Sequence, residues 1–290
     1  MYTIIDGKKT ASAIRQEIAA GVKKMIQEGI RVPHLAAILV GNDPSSSTYV
    51  ANKVKDCEEV GFRSTLVRFE ADISEDILLK KIAEFNENPD IDGFIVQLPL
   101  PRHISENRVI ESIDPSKDAD GFHPVNLGRM VIGLDGFLPA TPYGIMELIR
   151  RYNISLTGKN CVVIGRSNIV GRPVSILLSQ KGSDATVTVV HSRTRNIEGI
   201  IRQADIIVAA IGSPGFVTAE MVKEGAVVID VGTTRIPDES SKTGFRLAGD
   251  VDFLNVAPRC SYITPVPGGV GPMTRVSLLL NTLKAAKLRR

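Results

Sequence analysis

Short apolar runs alternate with amphipathic helical patterns along most of the chain. In the first half, three apolar runs of strand length enclose two segments whose apolar positions recur three and four residues apart. Strand, helix and strand in succession predict parallel pairing through right-handed crossovers. The predicted strands are "HLAAILVG", "STLVRFE" and "IDGFIVQLPLP", and the predicted helices are "TYVANKVKDCEEVG" and "SEDILLKKIAEFNENP".

Residues 114–140 interrupt this alternation. The stretch is rich in Gly, Pro and Asp, so we expect an irregular crossing between two domains there. A helix should follow, with Thr141 as its cap and Pro142 in its first turn. A second α/β unit comes next, in which four near-continuous apolar strands predict a sheet covered on both faces. They are "KNCVVIG", "ATVTVVH", "ADIIVAAIG" and "GAVVIDVG", and the chain closes on an amphipathic helix, "GPMTRVSLLLNTLKAAKLRR".

Bulk composition narrows the class of protein. A length of 290 residues favours two domains, and 43% hydrophobic with 23% charged residues is typical of a soluble globular protein. The net charge of +3 and the scattered basic residues argue against a nucleic-acid surface. No apolar run is long enough to span a bilayer, and the start lacks the hydrophobic region of a signal peptide.

Cysteine and histidine usage indicates neither disulfides nor metal. Cys57, Cys161 and Cys260 are odd in number and far apart, so we expect buried free thiols in a reducing cytoplasm. The four histidines form no cluster, and no metal site is expected.

A phenol and an amine lie one helical turn apart at Tyr49 and Lys53. Asp43 is expected to cap this helix and Pro44 to occupy its first turn. The pair should lie at the edge of an apolar stripe, where a lysine usually extends to water and a tyrosine packs its ring. A purely structural role for the pair is therefore the alternative to a functional one. The stripe consists of Val50, Val54 and Cys57.

A turn in the second unit favours nucleotide binding. Its first strand runs into Gly165, and a helix is expected near Ile169 with Gly171 in its first turn, where backbone amides can meet a pyrophosphate. Ser167 stands where the usual fingerprint has a second glycine, so an ordinary tight connection is the alternative.

The end of the next strand bears on the choice of cofactor. That strand ends on Ser192, Arg193 and Arg195 without an acidic residue, and Arg166 precedes it in the glycine turn. Serine and arginine suit a ribose phosphate and favour NADP over NAD. A solvated loop is the alternative for these arginines. A short-chain dehydrogenase is excluded, because that family has the glycine-rich turn before its Tyr-x-x-x-Lys pair.

Several long, compositionally unusual motifs occur in order. Through them the chain resembles the methylenetetrahydrofolate dehydrogenase/cyclohydrolase (FolD) family over nearly its whole length. The carriers are "SSSTYVANKVKDCEEVGF", "DGFIVQLPLP", "DPSKDADGFHPVN", "TPYGIMELI", "VVIGRSNIVGRPVSILL" and "ITPVPGGVGPMT".

The resemblance implies a two-domain α/β fold. It implies a three-layer α/β catalytic, folate-binding domain at 1–140 and a Rossmann-type NADP-binding domain at 141–271. The C-terminal helix, 272–290, is expected to pack back on the first domain and complete it. A homodimer is the family expectation.

The resemblance also implies an activity in one-carbon metabolism. Methylenetetrahydrofolate would be oxidised with NADP to the methenyl cation, which is then hydrolysed to 10-formyltetrahydrofolate. A dehydrogenase alone and a non-catalytic nucleotide-binding module are the rivals. By resemblance, the catalytic residues are Lys53, Gln97 and Tyr49; the substrate contacts are Tyr49, Asp120, Gly268, Gly269 and Pro272; and the NADP contacts are Gly165, Arg166, Ser167, Ser192 and Thr233.

Residue chemistry is compatible with these roles. Gln97 ends a predicted parallel strand, at the edge where open α/β sheets bind ligands, and can accept a hydrogen bond from an ammonium. Burial would lower the pKa of Lys53 toward neutrality, as proton transfer requires. Asp120 suits the amidine-like edge of a pterin, with a structural Asp-Gly turn as the alternative. A calcium loop is excluded because Leu127 stands where glutamate is needed.

Overall fold

The computed structural model describes residues 1–241 and 244–289. Its chain forms two compact units. We call them the three-strand unit, Ser12–Ala140 with the described residues from Arg275 onward, and the six-strand unit, Met1–Ala11 with Thr141–Thr274. Both are α/β, which confirms the predicted fold class.

A parallel sheet lies at the centre of the three-strand unit. β2 (His34–Val40) lies between β3 (Arg63–Phe69) and β4 (Gly93–Val96), and every residue of β2 and β4 is buried. This burial explains the near-continuous apolar runs of these strands. The helices are α1 (Gly7–Gln27, within this unit from Ser12), α2 (Pro44–Val60), α3 (Glu75–Glu87), α4 (Glu106–Ser112) and α5 (Pro124–Val131).

Helix α2 carries the predicted Tyr49–Lys53 pair and begins and ends as its sequence indicates. Asp43 caps it by accepting a 2.7 Å hydrogen bond from the Ser46 amide, and Pro44 is its first residue. Gly61 ends it in the left-handed region at φ 79°. Both ends are therefore set by local side-chain and backbone chemistry.

The six-strand unit contains a parallel sheet in the order β1-β11-β8-β7-β5-β6. Its central strands are almost wholly buried, and their side chains form one apolar core with those of the covering helices. The strands are β1 (Thr3–Ile4), β5 (Asn160–Ile164), β6 (Thr186–Val190), β7 (Ile206–Ala209), β8 (Ala226–Asp230) and β11 (Cys260–Ile263); β9 (Thr234–Pro237) and β10 (Phe245–Ala248) form a separate antiparallel pair. The helices are α6 (Ala140–Arg151), α7 (Gly171–Ser179), α8 (Ile197–Ile201) and α9 (Phe253–Val256).

The first residues of the chain lie in the six-strand unit. Thr3 and Ile4 pair in parallel with Tyr262 and Ile263 of β11, at the edge of the larger sheet. Met1–Ala11 therefore groups with the second half of the chain, whereas the expected first domain comprised residues 1–140. The pairing is long-range, and two residues of β1 are too short a signal to reveal it.

Three local expectations need correction. The 114–140 stretch is not wholly irregular, because α5 forms there with Pro124 in its first turn. Thr141 is not a cap, because α6 already begins at Ala140; the Thr141 hydroxyl instead lies 3.0 Å from that of Thr274. Helix α7 begins at Gly171 rather than near Ile169, after a turn over the preceding residues.

The last helix, α10 (Val270–Leu288), completes the three-strand unit from Arg275 onward. The Asn281 amide donates 2.9 Å hydrogen bonds to the carbonyls of Ala119 and Leu138, which close the irregular segment onto the helix. This confirms the expected packing of the C-terminal helix. Across the described residues, we find no helix that combines the length and apolar character needed to cross a bilayer.

Candidate active site

Lys53 is buried at the carboxyl edge of the small sheet. Only 5% of the residue is exposed, and its Nζ donates a 3.0 Å hydrogen bond to Oε1 of Gln97. Gln97 directly follows β4, and its backbone amide continues the ladder by donating to the Ile38 carbonyl at 2.9 Å. The Gln97 side-chain amide donates to the Leu98 carbonyl at 2.7 Å. That second bond orients the glutamine with its oxygen toward the amine.

Tyr49 completes one face of this arrangement. The Lys53 Nζ lies 4.7 Å from the centroid of the Tyr49 ring, one helical turn away on α2. The sequence placed the pair at the margin of an apolar stripe, and the structure buries the lysine instead. Val50 and Cys57 of that stripe are fully buried, whereas Val54 is half-buried.

Burial and a neighbouring carboxylate act in opposite directions on the amine. Desolvation lowers the pKa of Lys53 from its ordinary value of 10.5, and the charge of Asp120 partly counters this. Burial also raises the pKa of Asp120 to about 6, against the lowering effect of Lys53 and with a further raising effect of Asp118. The two groups are therefore electrostatically coupled, and each partly offsets the effect of burial on the other.

A carboxylate that the sequence analysis did not select holds the Asp120 segment in place. Asp118 is buried, and it accepts hydrogen bonds from the backbone amides of Gly121 at 3.0 Å and His123 at 2.8 Å. The Asn126 side chain donates to it as well, at 2.9 Å. Gly121, at φ 73°, leaves no room for a side chain, since a Cβ would lie 2.4 Å from the Leu138 carbonyl carbon. The side chain that holds this turn is therefore that of Asp118, not that of Asp120.

An ion pair joins α2 to the last helix of the chain. Asp56, one turn beyond Lys53, is 5% exposed, and its Oδ2 lies 3.2 Å from Nε of Arg275 on α10. Nothing in the local sequence pattern distinguishes Asp56 from a solvated helix residue. The pair links α10 to the helix that bears the amine.

The glycine turn of the six-strand unit has the tight geometry of a nucleotide-binding connection. Gly165 follows β5 at φ 116°, and a Cβ there would lie 2.2 Å from the Ala210 carbonyl oxygen. A Cβ at Gly171 would lie 2.3 Å from the Gly165 oxygen. Strand, turn and helix therefore approach more closely than any side chain permits.

Ser167 has a structural role in this turn. Its hydroxyl accepts 3.2 Å hydrogen bonds from the amides of Val170 and Gly171, at the start of α7. Arg166 and Ser167 are both exposed, as is Ser192 after β6. These side chains lie after β5 and β6, which are adjacent parallel strands, so they share one edge of the sheet. That edge fits the ribose and phosphates of a dinucleotide.

The six-strand unit also contains a cavity of about 300 Å³. Its lining includes Thr233, which was predicted as a cofactor contact, together with the predicted substrate contacts Gly268, Gly269 and Pro272. Lys8, which the sequence analysis did not select, lines the same cavity, and its amide donates to the Gly268 carbonyl at 3.0 Å. The sequence does not mark this lysine, because it reaches the cavity only when the chain start folds against the Gly268 loop.

The three cysteines are free and buried, as predicted. Cys57, Cys161 and Cys260 are free and buried, and burial raises the pKa of each thiol to about 12. Over 1–241 and 244–289, no group of three or more His, Cys, Asp or Glu is arranged to hold a metal ion.

Two family models match this chain. The tetrahydrofolate dehydrogenase/cyclohydrolase catalytic domain matches residues 5–120, and the NAD(P)-binding domain of the same family matches residues 139–290. Among curated proteins, the Bifunctional protein FolD of Porphyromonas gingivalis is 62% identical over 288 residues, which cover 99% of this chain and 97% of that protein.

Solved structures agree with these sequence matches. The bifunctional enzyme FolD of Campylobacter jejuni is 45% identical, covers 100% of both chains and superposes with a TM-score of 0.95. The Trypanosoma brucei methylenetetrahydrofolate dehydrogenase-cyclohydrolase, solved with NADP cofactor and inhibitor, is 42% identical with a TM-score of 0.94, and covers 99% of this chain and 98% of that one.

Proposed function

Because the chain belongs to the tetrahydrofolate dehydrogenase/cyclohydrolase family, we propose that it performs both reactions that the family name describes. It oxidises 5,10-methylenetetrahydrofolate to 5,10-methenyltetrahydrofolate with NADP+, and it hydrolyses that cation to 10-formyltetrahydrofolate. The enzyme thus interconverts folate one-carbon units, which purine biosynthesis uses. The observation that carries the proposal is the buried Lys53–Gln97 pair beside Tyr49 and Asp120.

Hydrolysis depends on the Lys53 amine. Water must add to the methenyl carbon and lose a proton, and the departing nitrogen must gain one as its bond to carbon breaks. The lowered pKa makes neutral Lys53 accessible, so it can accept the proton from water and return it to the nitrogen. Gln97 Oε1 holds the resulting ammonium by accepting its hydrogen bond. A permanently charged arginine could not perform this exchange.

Asp120 and Tyr49 are proposed to hold the folate. The Asp120 carboxylate matches the donor edge of a pterin, and its charge also counters the desolvation of Lys53. The Tyr49 ring, with the amine 4.7 Å from its centroid, offers a flat surface for a stacked ring. Gly268, Gly269 and Pro272 are further proposed substrate contacts, supported by their lining of the six-strand unit's cavity.

NADP is held by the larger sheet. When bound, it accepts the hydride from the methylene carbon. We assign the pyrophosphate to the Gly165 turn and the start of α7, and the ribose phosphate to Arg166 and Ser192, because these residues lie at one edge of adjacent strands. Thr233 is a further proposed contact, supported by its place in the cavity lining. Hydride transfer requires little more of the chain than alignment.

We also propose a cellular compartment, an oligomeric state and the absence of a nucleic-acid partner. Three free buried thiols suit a reducing compartment, and we place the protein in the cytoplasm. A homodimer is expected, and sedimentation velocity at micromolar concentration tests it. A small net charge of +3 supports the absence of a nucleic-acid partner.

One absorbance assay separates this function from its rivals. The purified chain is mixed with methylenetetrahydrofolate and NADP, then with NAD, and formation of both NADPH and 10-formyltetrahydrofolate is followed. The proposal predicts both products with a preference for NADP. NADPH without methenyl hydrolysis would indicate a dehydrogenase alone, and neither product would indicate a non-catalytic binding module.

A further inference from the structure

Two buried carboxylates interlock at the carboxyl edge of the larger sheet. Asp250 is wholly buried, and its carboxylate accepts hydrogen bonds from three successive backbone amides in the turn after β7. Its Oδ2 accepts from Ile211 at 2.7 Å and Gly212 at 3.1 Å, and its Oδ1 accepts from Ser213 at 2.7 Å. Both oxygens are therefore used as acceptors.

Asp230 extends the same network to the turn after β8. It is 3% exposed, and its Oδ1 accepts from the amides of Gly232 and Asp250, each at 2.9 Å. Its Oδ2 accepts from the Val251 amide at 3.0 Å. Asp230 thus accepts from the backbone amide of Asp250, and the Asp250 side chain holds the turn after β7. We call the two aspartates the carboxylate brace.

Glycines permit the close approach that the brace requires. A Cβ at Gly249 would lie 1.9 Å from Asp230 Oδ2, and a Cβ at Gly232 would lie 2.5 Å from the Asp250 amide nitrogen. The Thr234 hydroxyl also donates to the Gly212 carbonyl at 3.4 Å, so the two turns are joined directly. The two carboxylates and the two turns are therefore packed in direct contact, with no space for side chains at these glycines.

We propose that Asp250 is a positioning residue for NADP binding, acting through the Ile211–Ser213 turn directly and, together with Asp230, through the turn that carries Thr233. The inference rests on the proposed function. Parallel sheets bind nucleotides outside the carboxyl ends of their strands, and these turns follow the adjacent strands β7 and β8. Asp250 itself is too deeply buried to touch the cofactor, so its influence is on the backbone.

The chemistry of the brace favours a carboxylate over an amide. A carboxylate accepts at both oxygens, whereas an asparagine side chain has one acceptor and one donor group. In the Asp250→Asn variant, the side-chain NH2 would face at least one backbone N–H. One or two of the three amides would then lose their acceptor inside the protein, and the turn would shift to relieve this.

The test compares Asp250→Asn with a matched control, Asp205→Asn. Asp205 precedes β7 at the opposite end of the strand, where it accepts from the Asn160 amide at 2.8 Å and pairs with Lys223 at 2.5 Å. NADP binding is measured by calorimetry without substrate, and hydrolysis of methenyltetrahydrofolate is measured without NADP. For Asp250→Asn we expect Kd for NADP to rise about tenfold while hydrolysis changes less than about twofold. Asp205→Asn should leave both measurements close to those of the parent.

Hydrogen exchange adds a readout that does not depend on activity. The amides of residues 211–213 should exchange faster in Asp250→Asn, while those of the three-strand unit stay protected. If Asp250→Asn is insoluble, Asp230→Asn tests the same brace, with Gly232 and Val251 as the reporting amides.

Each result decides the matter. An unchanged Kd for NADP in a folded Asp250→Asn protein would overturn the inference, as would an equal loss of NADP binding and of hydrolysis. If the parent enzyme neither oxidises methylenetetrahydrofolate nor hydrolyses methenyltetrahydrofolate, the proposed function fails. The calorimetric comparison then still shows whether the brace positions a nucleotide site.

Discussion

Lys53 on α2 donates its hydrogen bond to Gln97, a residue 44 positions later that directly follows β4. Helix and strand thus each contribute one partner, and the bond joins them at the carboxyl edge of the small sheet. The lysine is buried there, and its pKa is lowered. An amine held in this way can gain and lose a proton while remaining in one place.

Replacing the amine tests its chemical role. Lys53→Met keeps the apolar stem but removes the proton carrier, so we expect methenyl hydrolysis to fall about 10²- to 10⁴-fold. Lys53→Arg should also fail, because its guanidinium stays protonated. Lys55→Met, on the exposed side of the same helix, is the matched control and should retain activity within about twofold. Full hydrolysis by Lys53→Met would remove the lysine from the mechanism.

Removing the neighbouring charge should shift the pH profile of hydrolysis downward. Asp120 raises the pKa of Lys53, so Asp120→Asn lowers that pKa further. If the neutral amine is the active form, the rising limb of kcat against pH then moves to lower pH. KM for folate should rise at the same time. A limb that stays in place while KM rises would mean that Asp120 binds substrate only.

Adding a charge at the other partner should have the opposite effect. Gln97→Glu places a carboxylate within hydrogen-bond distance of the ammonium, which favours the charged lysine and raises its pKa. The rising limb should therefore move to higher pH. The isosteric substitution keeps the packing, so circular dichroism should be unchanged. Shifts of equal sign in Gln97→Glu and Asp120→Asn would contradict the electrostatic account.

Cofactor preference should depend on the exposed arginine of the glycine turn. Arg166→Ala removes a candidate partner of the ribose phosphate, so the ratio of kcat/KM for NADP over NAD should fall about tenfold. Arg172→Ala is the control; this exposed arginine of α7 bonds to the Asn168 side chain at 3.0 Å. An unchanged ratio in Arg166→Ala would assign the phosphate to other residues.

A buried lysine away from the active site should make stability depend on pH. Lys117 is 1% exposed and donates to the carbonyls of Phe85 at 2.6 Å and Asn88 at 2.7 Å. Burial lowers its pKa to about 8, below the 10.5 of the unfolded chain. Between these values the unfolded state binds more protons, so the contribution of Lys117 to stability increases as pH rises.

Urea unfolding of parent and Lys117→Met at pH 7, 8, 9 and 10 measures this contribution. The parent should gain stability relative to the variant across the series. Lys80→Met, at an exposed position of α3, should show no such trend. A parent-minus-variant difference that is flat with pH would show that Lys117 titrates normally.

Much of the fold follows from local patterns. Apolar runs predicted β2, β3 and β5 to β8 to within three residues at each end, most plainly where a parallel strand is buried on both faces. The capping of α2 by Asp43 was equally predictable from the sequence, since the cap and its target amide are three residues apart. The position of the chain start could not be predicted in this way, because β1 pairs with β11 some 260 residues away, as the pairing of Thr3 with Tyr262 shows.

The site was predicted unevenly for a similar reason. Tyr49 and Lys53 stood out through helical spacing, and Gln97 through its position at the end of a strand. The buried state of Lys53, the turn-holding role of Asp118 and the brace of Asp230 and Asp250 depend on contacts that local spacing does not encode. Asp118 precedes an alanine and Asp230 and Asp250 each precede a valine, and none of these neighbours marks the aspartate as a residue with a special role.

Titration of Lys53 itself shows whether it is a desolvated amine whose pKa lies below its ordinary value. Lysine side chains labelled with ¹⁵N are followed by NMR from pH 6 to 11, with Lys53→Met assigning the signal and Lys55 serving as an internal hydrated reference. We expect Lys53 to titrate below its ordinary value of 10.5. A Lys53 signal that titrates together with Lys55 would contradict this expectation.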